Sequence, residues 1–494
     1  AIKPMCEIQE ELAKELGTDV KREYCDEVND EELREQVKKE TYDACYAQAQ
    51  SGDNDKKHRE EVYDKIKSDF IERYDAAHTD LSEDDLEEKH AQIERYYADV
   101  QRDSMRRSVL DTGKRMDGRA CDEIRPIWCE VDPLPMPHGS AYFQRGETLA
   151  LATCTLGTKL DEKMVDNVLD KSYQRFLLHY NFPPFCTGEA KAQRGVGRRE
   201  IGHGYLAQRA LEAVLPSEED FPYAIRSVTE IMSQNGSTSM AATCSSCMAL
   251  MSAGIPLKNP VSGIAMGLMM DGETPYILSD IADAEDFAGD MDFKCTGSKN
   301  GITALQMDMK VHGLPVSVLE KAILTSRKGR EHILRHMLSV ISEPKAELSP
   351  YAPRIEKIKI NPEKIGAIIG KGGETINKIT SETGAEVDIK EDGLITIASS
   401  NAEQIEKALN WIKSLVEEPE VGKIYRGKVV SIKDFGAFVN ILPGIDGMLH
   451  ISQMSEKRTE KVTDVLSQDQ EIWVKLDKID EKGRLNLTMK GIKQ

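Results

Sequence analysis

Several carboxylates and one lysine are crowded into IADAEDFAGDMDFK, residues 281–294. The segment DMDFK is expected to be a strand, in which side chains two residues apart share a face. That period places Asp290, Asp292 and Lys294 together, and Asp286 lies in an expected turn from which it folds back toward them. Hard oxygen ligands of this kind suit Mg²⁺ or Mn²⁺, which stabilise charge on phosphate oxygens. The pattern therefore predicts a metal-assisted site for phosphate chemistry.

The other acidic residues of this stretch, Asp283 and Glu285, have no comparable geometric relation to the strand. We expect both side chains to be exposed to solvent. The alternative for the whole stretch is a solvated acidic loop, and the remaining motifs decide between the two interpretations.

Three consecutive hydroxyl residues, Ser237, Thr238 and Ser239, open a helix expected from about Met240. The first backbone N–H groups of a helix have no partner within it, and this end carries the positive end of the helix dipole. One hydroxyl is sufficient for an ordinary N-cap. Three indicate a cradle for an anion.

Upstream, GRREIGHG contains Arg198, Arg199 and His203 just before another expected helix. Adjacent guanidinium groups are suited to phosphate oxygens, because each presents a planar fork of donors. The alternative is a basic surface turn.

Two motifs near the C-terminus indicate nucleic-acid binding. IIGKGGETI places Gly370, Lys371, Gly372 and Gly373 between an apolar, strand-like run and a helix, where backbone can approach a phosphate closely and lysine adds charge. Together with the later GAEVDI strand, this segment resembles a KH domain. A tight turn is the alternative.

The second of these motifs is KDFGAFVNI followed by GMLHIS. Phe435, Phe438 and His450 lie on or beside short strands, where rings on a small barrel stack on single-stranded bases. The segment resembles an RNA-binding OB-fold, and core packing of a phenylalanine is the alternative.

The elements that must position these residues predict a multidomain α+β chain. Helical spacing fills the N-terminal part, strands and helices alternate in the middle, and short strands with many turn residues follow a proline-containing linker. The predicted order is an all-helical domain (1–103), an α+β core (104–343), a linker (344–354), a KH-like domain (355–416) and an OB-fold β-barrel (417–494).

Charge and cysteine content place limits on the class of protein. The net charge is −20, and residues 1–100 account for −15 of it, with 15 Lys and Arg against 30 Asp and Glu. Because binding faces are local, this acidity does not exclude nucleic acid. The ten cysteines are scattered without a disulfide framework. No run of eighteen apolar residues occurs, so we expect a cytoplasmic protein with no membrane span.

Longer motifs carry a resemblance over the whole chain. FLLHYNFPPF, RREIGHG, NGSTSMA, SDIADAEDFAGDMDFK and GITALQMDMK resemble the second catalytic core, of RNase PH type, in the bacterial polynucleotide phosphorylase family. The helical, KH and OB-fold segments follow in the order of that family. The resemblance implies a 3′-to-5′ exoribonuclease in which inorganic phosphate, as co-substrate, releases nucleoside diphosphates from single-stranded RNA, reversibly, in mRNA degradation.

The resemblance also implies site roles. Asp286, Asp292 and Lys294 would be the catalytic set, with Asp286 and Asp292 as ligands of Mg²⁺ or Mn²⁺. Six residues would bind phosphate or RNA: Ser237, Thr238, Ser239, Arg198, Arg199 and His203. The family usually has serine at the position of Thr238, which retains the hydroxyl.

Further expectations concern assembly. The family forms a homotrimer and joins RNA-degradation complexes, and its chain begins with a first RNase PH core that we expect this sequence to lack. An RNA-binding fragment that is inactive without that core, and a hydrolytic exoribonuclease, are the alternative functions.

Overall fold

The computed structural model describes residues 2–18, 20–23, 27–442, 444–456, 460–480 and 483–492. Within this part of the chain, no helix is both long enough and apolar enough to cross a membrane.

The N-terminal part is helical, as its periodicity predicted. Its helices are α1 (Lys3–Leu16), α2 (Glu31–Gln50), α3 (Lys56–Ala77) and α4 (Glu83–Thr112). Ser82 is the N-cap of α4, and its side chain accepts a hydrogen bond from the backbone N–H of Asp85. Helix α4 continues past residue 103, so the predicted boundary lies inside a helix.

The central part contains most of the strands. In chain order its elements are β1 (Ile127–Val131), β2 (Gly139–Arg145), β3 (Thr148–Gly157), β4 (Lys163–Asp166), β5 (Lys171–Gln174), β6 (Phe176–Asn181), α5 (Arg198–Glu212), β7 (Ala224–Ser233), α6 (Thr238–Ser252), β8 (Ser262–Asp271), β9 (Thr274–Ser279), α7 (Asp283–Ala288), β10 (Met291–Ser298), β11 (Gly301–Met309) and α8 (Val316–Val340).

Two sheets enclose the middle of this domain. One has the strand order β1-β2-β3-β7-β6 and the other β11-β10-β8-β9. Helix α6 packs against strands of both sheets, and every one of its residues is buried. Its small side chains, from alanine to cysteine, allow this close approach, and Gly254 ends the segment in a left-handed conformation with φ +81°. Cys244 and Cys247, both on α6, are buried, and neither forms a disulfide.

The C-terminal part forms two small units. The first has β12 (Arg354–Lys359), α9 (Ile365–Ile369), α10 (Glu374–Thr383), β13 (Glu386–Ile389), β14 (Leu394–Ser399) and α11 (Ala402–Val416). The second is a closed barrel of β15 (Ile424–Lys433), β16 (Gly436–Leu442), β17 (Ile445–His450), β18 (Glu471–Ile479) and β19 (Leu485–Thr488). The predicted OB-type barrel is thus confirmed.

Three local predictions near the motifs are wrong. The segment ADAEDFAG contains the short helix α7 rather than only a turn. The apolar run before Gly370 is helix α9, not a strand. Asp290 precedes β10, and its carboxylate accepts hydrogen bonds from the backbone N–H of Met270 at 2.7 Å and from Arg106 at 2.6 Å. Asp290 therefore ties the sheet to the helical domain.

The predicted exposure of Glu285 is also wrong. Its side chain is buried and forms an ion pair with the equally buried Arg115, whose Nε donates to Glu285 Oε1 at 2.5 Å. Asp283, two residues earlier, is partly exposed and pairs with Lys56 at 3.0 Å. Two ion pairs therefore hold helix α7 in place: the buried pair of Glu285 with Arg115 and the partly exposed pair of Asp283 with Lys56.

These two pairs differ in their expected contribution to stability. Glu285→Gln leaves the Arg115 charge buried without its partner, so we expect the free energy of unfolding to fall by about 3–5 kcal/mol. Asp283→Asn removes a partly exposed pair and should cost less than about 1 kcal/mol. Urea unfolding of both variants measures the difference, and equal shifts in midpoint would contradict it.

Candidate active site and RNA-binding surfaces

The loop between β7 and α6 places serine hydroxyls at a helix N-terminus. Ser237 is the N-cap residue and has the left-handed backbone angles φ 48° and ψ 55°. The hydroxyl oxygens of Ser237 and Ser239 are buried and have no hydrogen-bond partner among the described residues. Unsatisfied buried hydroxyls are costly unless a ligand completes them. The two serines therefore form a cradle for an anion beside the unpaired N–H groups of the first turn.

Thr238, the middle residue of the three, differs from its neighbours. Its hydroxyl lies 2.6 Å from the hydroxyl of Tyr180, and both side chains are buried. Thr238 therefore links the loop to strand β6, so that its hydroxyl is partly engaged already.

Strand β10 presents the predicted acid and lysine on one face. Asp292 Oδ2 lies 2.7 Å from Lys294 Nζ, while Asp292 Oδ1 is buried without a hydrogen-bond partner among the described residues. Burial raises the pKa of Asp292; Lys294 opposes the shift, and the negative charges of Asp286 and Asp308 add to it. The carboxyl thus has one oxygen without a hydrogen-bond partner and an enhanced affinity for a proton.

Asp286 lies on helix α7 rather than in the predicted turn, and it is close enough to Asp292 for its charge to raise the pKa of that carboxyl. The Asp286 carboxylate lies 3.2 Å from Lys310 Nζ. Asp308, which contributes to the pKa of Asp292, lies directly opposite it in the β10–β11 pair. Sequence reasoning missed both Lys310 and Asp308. Pairing DMDFK with QMDMK as a hairpin would have found Asp308.

The predicted metal ligands fit a weakly held hard cation. No group of three or more His, Cys, Asp or Glu side chains that could hold a metal occurs in the described part of the chain. Mg²⁺ commonly uses one or two carboxylates and completes its shell with water and substrate phosphates. Asp286 and the unpartnered Oδ1 of Asp292 can supply these one or two carboxylates.

Helix α5 begins at Arg198, so Arg198, Arg199 and His203 lie within its first two turns rather than before it. The guanidinium of Arg199 stacks over the Phe182 ring at 4.5 Å, and Arg198 is exposed. Both remain near the helix N-terminus, where an anion is favoured.

The His203 ring is related both to Tyr180, which contacts the serine loop, and to Lys294 of β10. It packs edge-on against Tyr180 at 5.4 Å, and its Nδ1 is buried without a partner among the described residues. Burial, with contributions from Lys294 and Arg199, lowers the pKa of His203 to about 4. Tyr180 and Lys294 therefore connect His203 to the serine loop and to β10, and the ring is neutral near pH 7.

The predicted GKGG loop is built from left-handed glycines. Gly370, Gly372 and Gly373 have φ values of +73°, +63° and +85°, and a Cβ on Gly370 would meet the Thr375 hydroxyl oxygen at 2.2 Å. Only glycine fits at Gly370 for this reason. The exposed Lys371 and the start of α10 are left facing solvent.

On the barrel, Phe435 lies in the turn between β15 and β16, Phe438 lies on β16, and His450 ends β17. Phe435 is 50% exposed, Phe438 is half-buried, and His450 is exposed at the end of β17. His450 pairs in register with Gly436, the residue after Phe435. Two basic residues of the barrel form ion pairs, Lys428 with Asp469 and Arg484 with Asp480.

Comparison with known families gives the class of protein. The model of the 3′ exoribonuclease family, domain 1, matches residues 123–256. The polyribonucleotide nucleotidyltransferase RNA binding domain matches residues 32–120. A KH domain matches residues 355–414, and an S1 RNA binding domain matches residues 418–490. These matches define a 3′-exoribonuclease core carried with RNA-binding domains.

Curated relatives identify the family. Polyribonucleotide nucleotidyltransferases from Phocaeicola vulgatus and Bacteroides fragilis are each 54% identical over 497 residues, covering 99% of this chain and 69% of their own length. The enzyme of that name from Anaeromyxobacter is 46% identical over 494 residues. The chain belongs to the polyribonucleotide nucleotidyltransferase family. Membership confirms the predicted enzyme class, a phosphorolytic 3′-to-5′ exoribonuclease.

The neutral state of His203 is directly measurable. Because burial disfavours the imidazolium, we expect this ring to titrate near pH 4 in histidine-labelled protein followed by NMR, with the resonance assigned from a His203→Gln spectrum. His58 provides an internal control, since its hydrogen bond to Asp53 raises the pKa of that exposed ring above 6.5. Titration of His203 near 6.5 would contradict the buried environment.

Proposed function

We propose that Ser237 and Ser239 bind the attacking inorganic phosphate and that Asp292 and Lys294 act on the terminal phosphodiester of RNA. The observation that supports this most directly is the pair of buried, unpartnered serine hydroxyls at the start of α6. A water nucleophile needs no such cradle. The geometry therefore favours phosphorolysis over hydrolysis.

In the proposed reaction, an oxygen of HPO₄²⁻ attacks the last phosphorus of the RNA. The bond from that phosphorus to the 3′ oxygen of the preceding nucleotide breaks, and a nucleoside diphosphate leaves. Asp292 donates a proton to the departing 3′ oxygen and recovers one from the attacking phosphate, in keeping with its raised pKa. Lys294 neutralises charge that develops on the phosphoryl oxygens.

Three further residues are assigned to substrate contact. Arg198 and Arg199 lie at the start of α5, where their guanidinium groups can grip phosphate oxygens. His203, neutral at pH 7, offers a ring nitrogen as a hydrogen-bonding group rather than a charge. Each contact would align the RNA end with the serine cradle.

Asp286 and Asp292 would hold Mg²⁺ or Mn²⁺. Such a cation supplies Lewis-acid stabilisation of charge on the phosphate oxygens. The unpartnered Oδ1 of Asp292 supports this assignment.

We also propose a homotrimer, cytoplasmic location and partners in RNA degradation. Exposed apolar residues on β11 and α5, among them Leu305, Met307, Ile201 and Tyr205, support a subunit contact on that side of the core. The unpaired thiols of the described cysteines support a reducing compartment.

The reaction is tested with a 3′-tailed RNA and Mg²⁺, with and without phosphate, resolving diphosphates from monophosphates. We expect diphosphate release that requires phosphate.

Ser239→Ala should raise the KM for phosphate at least about tenfold, because it removes a hydrogen bond to a charged group worth about 1.5–3 kcal/mol. Ser245→Ala is the matched control, since Ser245 is buried in the same helix and donates only to the carbonyl of Ala242.

Other outcomes identify the alternatives. Monophosphates released without phosphate would indicate hydrolysis and overturn the assignment. RNA binding without any turnover would favour the interpretation of these residues as an RNA-binding unit only.

The barrel surface is tested by binding alone. Phe435→Ala should weaken binding of a single-stranded oligoribonucleotide by about 1–3 kcal/mol, because the exposed ring is assigned to stack on a base. Tyr351→Ala, at a comparably exposed ring in the linker, should leave fluorescence anisotropy isotherms unchanged. Equal losses in the two variants would exclude a specific platform at Phe435.

A further inference from the structure

A buried carboxylate lies beneath the serine loop. Asp280 follows β9, is fully buried, and has the left-handed φ of 53°. Arg125 grips it with two nitrogens, Nη2 at 2.8 Å from Oδ1 and Nε at 2.9 Å from Oδ2. Arg145 Nε lies 2.5 Å from Oδ1. Burial alone would raise the pKa of Asp280, but these guanidinium groups hold it well below its usual range.

The same two arginines reach the serine loop. Arg145 Nη2 donates to the carbonyl oxygens of Gly236 at 3.0 Å and Ser237 at 3.3 Å. Arg125 Nη1 donates to the carbonyl of Asn235. Three successive carbonyls of the loop are therefore held by guanidinium groups that are themselves anchored on Asp280.

Thr148 adds an uncharged clamp at the same peptide. Its hydroxyl donates to the Gly236 carbonyl at 3.1 Å and accepts from the Asn235 N–H at 3.0 Å. Gly236 cannot carry a side chain here, because a Cβ would lie 2.5 Å from the carbonyl oxygen of Ile281. The loop is thus fixed from the β2–β3 side and from the chain after β9.

The hydrogen bonds from Arg125, Arg145 and Thr148 to the loop determine the direction of the loop N–H groups. In a planar trans peptide the carbonyl and the N–H face opposite ways, so turning the Gly236 carbonyl toward Arg145 and Thr148 directs the Ser237 N–H away from them. The left-handed conformation of Ser237 is unfavourable for a residue with a side chain and persists only where surrounding contacts impose it. Arg145 and Thr148 supply such contacts.

Asp280 is connected to the acidic side of the site as well. Arg115 Nη1 donates to the Ser279 carbonyl and Nη2 to the Asp280 carbonyl, while its Nε pairs with Glu285 of α7. Asp286 is the next residue of that helix. One buried cluster therefore contacts the backbone that carries the serines and the helix that carries Asp286.

We propose that Arg145, anchored by Asp280, is a positioning residue that sets the serine loop in its phosphate-binding conformation. The inference rests on the proposed role of Ser237 and Ser239 as the phosphate cradle. Arg145 itself touches no substrate in this arrangement. Its replacement should therefore weaken phosphate binding while leaving RNA binding by the KH and S1 domains intact.

The test is Arg145→Lys, which retains the positive charge beside Asp280 but cannot span the carboxylate and two carbonyls. Inorganic phosphate is titrated in Mg²⁺ buffer while thermal unfolding is followed, because a ligand of the folded state raises the Tm according to its Kd. We expect the Kd for phosphate to rise at least about tenfold, with oligoribonucleotide anisotropy unchanged. In turnover, KM for phosphate should rise while KM for RNA does not.

Two variants separate positioning from general destabilisation. Arg330→Lys alters a buried arginine of α8 that donates to the Ser298 carbonyl, outside the loop, and should retain the wild-type phosphate response. Thr148→Val removes the uncharged clamp at Gly236 and should weaken phosphate binding in the same direction as Arg145→Lys. Thr148→Val decides the question if Arg145→Lys does not fold.

The outcomes are distinct. Phosphate protection of the wild type that is equal in Arg145→Lys and Thr148→Val would overturn the positioning role and leave the proposed function standing. Absence of phosphate protection in the wild type would overturn the phosphate cradle itself, and the positioning role with it. Loss in both loop variants but not in Arg330→Lys supports the inference.

Discussion

The burial of one carboxylate, Asp280, among guanidinium groups is the interaction on which the organisation of the core depends. Four buried arginines meet beneath the site: Arg115, Arg119, Arg125 and Arg145. Their acidic partners are Asp117, Asp280 and Glu285. Desolvating so many charges costs free energy that pairing with carboxylates offsets, and removing one partner leaves an uncompensated charge. The cluster therefore imposes one arrangement on the strand ends and loops that meet there.

Helix α6 connects that cluster to the proposed phosphate cradle. Because sheets cover both of its sides, its first turn is buried, and there the attraction of N–H groups and hydroxyls for an anion is stronger than in water. The acid and lysine of β10 stand on a central strand of the facing sheet. Catalytic groups carried on such elements lose little entropy when substrate binds, which favours accurate alignment of an attacking group with its target.

RNA binding by the C-terminal domains depends on different interactions from those that organise the core. The chain is acidic overall, and two of the basic residues on the barrel face are paired with carboxylates. We propose that affinity on that face comes chiefly from ring stacking on Phe435 and Phe438, with backbone contacts from the GKGG loop of the preceding domain. Two weak modules on one chain would then gain affinity from effective concentration, without a strongly basic surface on the core.

The sequence alone determined the features that depend on local spacing. Period two placed Asp292 and Lys294 on one face, three hydroxyls marked the start of α6, and glycine spacing marked the KH loop. Motif resemblance determined the family. Only the tertiary structure decided that Asp290 and Glu285 are buried in ion pairs, that Asp308 and Lys310 join the site, and that Arg145 supports the serine loop. Those relations join residues far apart in the chain, and local periodicity contains no information about which distant charge a buried group will meet.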